Sequence, residues 1–121
     1  MSVSGPVLVV EDDRDVRESL VAVLEDAGYK VISASDGRAA LTLLRAGPLP
    51  SVILLDLMMP VMDGWEFRQR QSARPALAGI PVVVVTAAYE PRGIDAADVI
   101  LKPLDFDLLL RVVRSHCPPA E

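Results

Sequence analysis

Short unbroken apolar runs alternate along this chain with longer segments whose apolar residues recur every three or four positions, and that alternation leaves few folds open. Val7-Leu8-Val9-Val10, Val52-Ile53-Leu54-Leu55 and Val82-Val83-Val84-Val85 are continuous apolar runs, the pattern of strands covered on both faces. Lys30 to Ala34 and Val99 to Leu101 are expected as two further strands. Val16, Leu20, Val23, Leu24 and Ala27 fall at helical spacing, and Gly28 supplies the stop. Asp36 to Ala46 is expected as a second helix with Ala39, Ala40, Leu43 and Leu44 on its inner face, ended by Gly47-Pro48. Gly64 opens a third helix, and Phe106 to Ser115 forms the last. Strand and helix in alternation mean parallel strands joined by crossover helices. The expected architecture is α/β: a doubly wound, five-stranded parallel sheet in the order 2-1-3-4-5.

One unit departs from this rhythm. Only the eleven residues Ala87 to Ala97 separate the end of the fourth strand from Asp98, and a parallel crossover normally takes a dozen or more. Pro91 and Gly93 lie inside that window, so the fourth crossover helix is expected to be stunted or irregular. No repeat or linker divides the 121 residues, which read as a single domain over 1–121 with loose ends at 1–5 and 117–121. The net charge of −5 argues against direct nucleic-acid binding and against an anionic membrane surface. No apolar run approaches the length of a membrane span, and residues 1–5 lack the pattern of a secretory signal. With one cysteine, Cys117, no internal disulfide can form, and a cytoplasmic location is expected. His116 and Cys117 are two ligands at most, too few for a zinc site. Trp65, Phe67, Met58, Met59 and Met62 are expected to pack around the third helix and the loop before it.

In open parallel sheets ligands bind outside the carboxyl ends of the strands. Glu11, Asp12 and Asp13 follow the first strand, Asp56 the third, Thr86 the fourth and Lys102 the fifth. Each has an ordinary explanation alone: helix caps and first-turn anions for the acidic run, a cap for Thr86, a solvated surface charge for Lys102. Asp56 is harder to explain away, because it ends a buried strand and faces the carboxylates of the first. Carboxylates brought together need a proton or a cation, and hard oxygen ligands suit Mg²⁺. A nucleophilic aspartate with a metal, a hydroxyl and a lysine makes a phosphoryl-transfer site. Lys102 precedes Pro103, so the peptide between them is a candidate for cis geometry.

Over nearly its whole length the sequence resembles the receiver domain of two-component response regulators, the CheY-like family with a flavodoxin-like sheet. The resemblance rests on Val9-Val10-Glu11-Asp12-Asp13, the run Leu54 to Gly64, Val84-Val85-Thr86-Ala87 and Leu101-Lys102-Pro103. It implies that Asp56 is the phosphoacceptor, charged by a sensor histidine kinase or a histidine phosphotransfer protein. It implies Mg²⁺ held by Asp12 and Asp56 with the backbone carbonyl of Met58, Glu11 acting through water. Asp13 falls outside the acidic pair and is expected as a helix anion. Thr86 matches the switch hydroxyl, and Lys102 the cation that neutralises a phosphoryl oxygen. The domain would catalyse its own phosphorylation and dephosphorylation without being an enzyme in its own right. It would change the binding of a downstream protein or a fused effector domain, and a homodimer stays open.

Three departures qualify that picture. Val99 stands where relatives carry the aromatic residue coupled to the threonine, and the fourth crossover is short. Output is therefore expected to run through Thr86, Val99 and the segment Ala87 to Asp98. Met58 and Ala88, two residues beyond Asp56 and Thr86, cannot orient a water, so loss of phosphate is expected to be slow. The competing reading is a phosphorylation-independent interaction module of the same fold. A phosphatase is disfavoured because Met58 replaces a second acid, and a nucleotide-binding domain because no glycine-rich loop follows the first strand.

Overall fold

The apolar runs pair edge to edge into one parallel sheet. A computed structural model describes residues 5–87 and 94–117. Along the chain lie β1 (Val7–Val10), α1 (Arg14–Asp26), β2 (Val31–Ala34), α2 (Gly37–Ala46), β3 (Val52–Leu55), α3 (Gly64–Ser72), α4 (Pro75–Ala78), β4 (Val82–Thr86), β5 (Asp98–Leu101) and α5 (Phe106–His116). The strand order is β2-β1-β3-β4-β5, all parallel, as the alternation requires. Every residue of β1, β3 and β4 is buried, which is why these three strands read as unbroken apolar runs. The edge strands β2 and β5 are half-exposed and carry weaker patterns.

Alternate side chains of each central strand point to opposite faces, and each face has its own core. Val7, Val9, Leu54, Val83 and Val85 pack with Leu20 and Leu24 of α1 and with Leu109 and Val113 of α5. Leu8, Val10, Ile53, Leu55, Val82 and Val84 pack with α2, with Phe67 of α3 and with Leu77 of α4. The inner face of α2 is rotated from the expected one: Gly37, Ala40, Leu41 and Leu44 are buried, while Ala39 and Leu43 sit at the edge of the core. Leu41 takes the central place because a helix covers a sheet with a stripe wider than one i, i+3, i+4 row.

Among the described residues, an aspartate starts each of the long helices α1, α2, α3 and α5. Asp13, Asp36, Asp63 and Asp105 each accept a hydrogen bond from a backbone N–H in the first turn, satisfying donors that the helix itself cannot. Asp13 is thus the cap of α1. That helix ends where Gly28 takes a φ of 98°, a conformation that favours glycine.

The apolar pattern does not predict the short helix α4. Four residues are too few to show a period, and only Pro75 at its first position marks it. Gln71 explains how it is held. This side chain is completely buried, and its Nε2 donates to the carbonyls of Leu77 (2.9 Å) and Ile80 (3.1 Å). The side-chain amide there reinforces the backbone turn that Ile80 N–H closes on Leu77 O (3.1 Å) between α4 and β4, and gives the Ile80 carbonyl a donor. Of the expected fourth crossover helix, residues 88–93 lie outside the described residues, and residues 94–97 are not helical. Cys117 is buried against the α1 and α5 face rather than solvated.

Gln71→Ala is expected to destabilise the domain by about 2 kcal/mol, because the Ile80 carbonyl loses its side-chain donor and a buried side chain is deleted, while Leu77 O keeps the Ile80 N–H. Urea unfolding of the variant checks this, and an unchanged midpoint would contradict the assigned role.

Candidate functional site

Strand register decides which side chains meet at the carboxyl edge of the sheet. Val10 of β1 pairs with Leu55 of β3, so the next residues, Glu11 and Asp56, emerge side by side. The ladder continues just far enough to fix both: Glu11 N–H donates to Ala34 O (3.1 Å) and Asp56 N–H to Val10 O (3.0 Å). On the other side Thr86 pairs with Leu101, and Lys102 N–H donates to Thr86 O (2.9 Å). Lys102 therefore leaves β5 pointing toward the same cluster. The Lys102–Pro103 peptide is cis, as is Gly47–Pro48.

The structure brings Glu11, Asp12, Asp56 and Lys102 together. One carboxylate oxygen from each of the three acids lies within 4.8 Å of the others. Asp12 is exposed, but Glu11 and Asp56 are buried, at 1% and 4% exposure. Asp56 is thus beneath the rim of the sheet, deeper than its place at a strand end suggests, because the loop after β3 folds back over it. Its Oδ1 accepts from Met58 N–H (3.2 Å), and its Oδ2 lies 3.7 Å from Lys102 Nζ. Lys102 Nζ binds Glu11 Oε1 more closely, at 2.6 Å, and Glu11 Oε2 accepts from Asp13 N–H (3.1 Å). Both oxygens of Glu11 are therefore engaged, whereas Asp12 offers its carboxylate to solvent.

Burial with a like-charged neighbour costs the ionised form of Glu11. Loss of hydration first, and then the nearby Asp56 carboxyl, push its pKa up to about 7, against the pull of Lys102 and of the Asp13 N–H. Burial also opposes the Lys102 ammonium, but the Glu11 hydrogen bond and the surrounding carboxylates outweigh it and hold its pKa above the usual 10.5. Three carboxylates stand against one ammonium, and their hard oxygens form a donor set that fits a divalent cation such as Mg²⁺. The fit rests on the chemistry of the donors and on two of them being held out of water.

Thr86 is completely buried at the end of β4. Val99 is on the edge strand at 44% exposure and does not join the cluster; with Leu101 it forms an exposed apolar edge. Met58 departs from the packing role expected for it: its side chain is 61% exposed, because its backbone is turned to aim the N–H at Asp56. Phe67, Met59 and Met62 do pack in the core, and Trp65 lies against it. Ala88 lies outside the described residues.

Two backbone contacts at the site go beyond the sequence reading, which places Gly64 only as the start of the third helix and does not single out Arg17. Gly64 starts α3 directly over the end of β3, with its N–H on Leu57 O (3.0 Å); a Cβ there would stand 2.7 Å from Leu57 Cα and 2.8 Å from Asp56 O. Only glycine permits that approach. Arg17 of α1 donates from Nη1 to the carbonyls of Glu11 (2.9 Å) and Asp12 (3.4 Å).

The raised pKa has a stability consequence with a definite sign. A carboxyl whose pKa is higher folded than unfolded contributes stability that is complete below the unfolded value of 4.5 and lost as pH rises through about 7. In EDTA, the melting temperature of the wild type should therefore fall relative to that of Glu11→Gln between about pH 5 and pH 8. A constant difference between the two would mean that Glu11 is not strained by its burial.

Among known sequences, the profile described as response regulator receiver domain matches residues 7–114. The response regulator MprA of Mycolicibacterium vanbaalenii is 42% identical over 90% of this chain, which spans 48% of that protein's length. Among solved structures, the signal receiver domain of a signal transduction histidine kinase from Syntrophus aciditrophicus superposes with a TM-score of 0.85 at 32% identity, covering 93% of this chain and 89% of its own. The response regulator protein TrrA of Thermotoga maritima, solved in complex with Mg(2+)-BeF, gives 0.81 at 26% identity, covering 92% and 97%. A sheet in this order, with acids at the ends of β1 and β3 and a lysine after β5, agrees with that likeness, and the chain belongs to the response regulator receiver domain family.

Proposed function

We propose that this domain is a phosphoacceptor that takes a phosphoryl group from a phosphohistidine onto Asp56. The observation that carries the reading is the setting of that carboxylate: buried, one oxygen fixed by Met58 N–H and the other facing Lys102. A carboxylate oxygen of Asp56 attacks the phosphorus; the P–N bond of the donor breaks, its electron pair returning to the imidazole, and an acyl phosphate forms. Lys102 lies where it can leave Glu11 for an oxygen of the arriving group, offsetting charge as a point cation. Thr86, one residue before the Lys102 level on the neighbouring strand, supplies the hydroxyl that answers the modified Asp56. Glu11, Asp12 and Asp56, with the Met58 carbonyl, would hold Mg²⁺, Glu11 through water because both its oxygens already have partners. Bound there, the ion supplies neutralisation of the charge that three carboxylates and a phosphoryl group accumulate.

The donor is of the histidine kinase or histidine phosphotransfer class. The chain covers about half the length of MprA, and the output is a change in the binding of a protein partner or an attached effector domain. Neither nucleic acid nor membrane is a direct partner in this reading. Among the described residues no helix is long and apolar enough to cross a membrane. Val99 and Leu101, exposed on β5, belong to the surface that Thr86 influences through their shared register.

Incubation with acetyl phosphate and Mg²⁺ is expected to give a single phosphoryl adduct by intact mass, absent with EDTA and absent in Asp56→Asn. Failure of both acetyl phosphate and beryllofluoride to modify or bind the folded, Mg²⁺-loaded protein would favour an interaction module that does not use phosphorylation. The exposed Met58 side chain has no group to hold an attacking water, so the adduct should be long-lived. Met58→Asn is expected to shorten its lifetime, read from the decay of the same mass peak; an unchanged lifetime would remove Met58 from the explanation.

A further inference from the structure

On the reading that the acidic cluster is a cation site, we propose that Arg17 is a positioning residue, fixing the turn that carries Glu11 and Asp12 and so setting how tightly the carboxylates hold Mg²⁺. Side chains on a helix lean toward its N-terminus, so Arg17, four residues beyond the Asp13 cap, reaches back over the turn between β1 and α1. Its neighbour Arg14 makes an exposed ion pair with Glu18 one turn on, an ordinary surface contact. Arg17 instead directs Nη1 to main-chain oxygens, 2.9 Å from Glu11 O and 3.4 Å from Asp12 O. These carbonyls belong to the two residues just past the sheet ladder, where Glu11 N–H makes the last bond from β1, to Ala34. Beyond that point the path of the turn depends on side chains: Asp13 caps the helix from one side, and Arg17 ties the backbone from the other.

The two ways in which Arg17 could act have opposite signs. As a bare positive charge it repels a bound cation, and its removal would tighten Mg²⁺ binding. As the tie that orients Glu11 and Asp12, its removal loosens the site, and partners of this kind carry about 10- to 100-fold in metal affinity. Positioning is the larger effect here. The guanidinium keeps its charge, but at this half-exposed position water and salt screen it, whereas the carboxylates of Glu11 and Asp12 take their direction from the turn that Arg17 holds.

The test is calorimetric titration of Mg²⁺ into the wild type, Arg17→Met and Arg17→Lys, with thermal unfolding of each in EDTA. Arg17→Met should bind Mg²⁺ about tenfold more weakly, and Arg17→Lys, which can still donate to a carbonyl, should recover most of the loss. Equal or tighter binding by Arg17→Met overturns the proposal, whatever happens to its melting temperature, since a purely structural role would lower stability and leave affinity alone. Should Arg17→Met not fold, Arg17→Leu, which also lacks a donor, provides the same comparison. A wild type that binds no Mg²⁺ overturns the cation reading itself, and that result appears before any Arg17 variant is needed.

Discussion

Glu11 and Asp56 are carried out of water side by side, with the ammonium of Lys102 against them. That arrangement is unfavourable in isolation, and the sheet imposes it. The register of β1 on β3 leaves the two residues no other place to go once their strands are buried. The strain is local, and the apolar cores on the two faces supply the stability against which it is set. The result is a site that gains from anything reducing its negative charge: a proton on Glu11, a lysine between the acids, or a divalent ion among three carboxylates.

The same constraint explains why Lys102 rests on Glu11 rather than on Asp56. Glu11 is the less hydrated acid and presents an oxygen at 2.6 Å, against 3.7 Å for Asp56. The ammonium is in this way held close to Asp56 without engaging it fully. Asp56 keeps an oxygen whose nearest cation is beyond hydrogen-bond distance, while Met58 N–H fixes the other. That combination of fixed direction and incomplete neutralisation is what the proposed role of Asp56 as a nucleophile requires.

The parts of the fold that could be read from the sequence are those in which burial is two-sided. β1, β3 and β4 announce themselves because, Thr86 at the end of β4 apart, every residue in them is apolar, and the polar residue that ends or follows each run falls at the functional edge. That is how Glu11, Asp56 and Thr86 could be placed. α4 was invisible because four residues carry no period, and Gln71, a polar residue that satisfies buried carbonyls, looks in a sequence like any exposed glutamine. Met58 misled for the converse reason: an apolar side chain was turned outward so that its backbone could serve Asp56. Arg17 and Gly64 act on main-chain atoms, and contacts to the backbone leave no complementary residue in the sequence to point to them.

The residues of the cluster all leave the ends of strands, whereas the outward faces of α1 and α3 hold exposed ion pairs such as Arg14–Glu18 and Arg70–Glu66. Such pairs contribute little to stability. The chemistry is therefore anchored in the sheet, and the helix exteriors nearest to it are free to take on almost any pattern of charge and shape. On the proposed phosphoacceptor reading, two domains with this same edge would react alike with a small phosphate donor while their helix exteriors, a physically separate layer, remain free to differ.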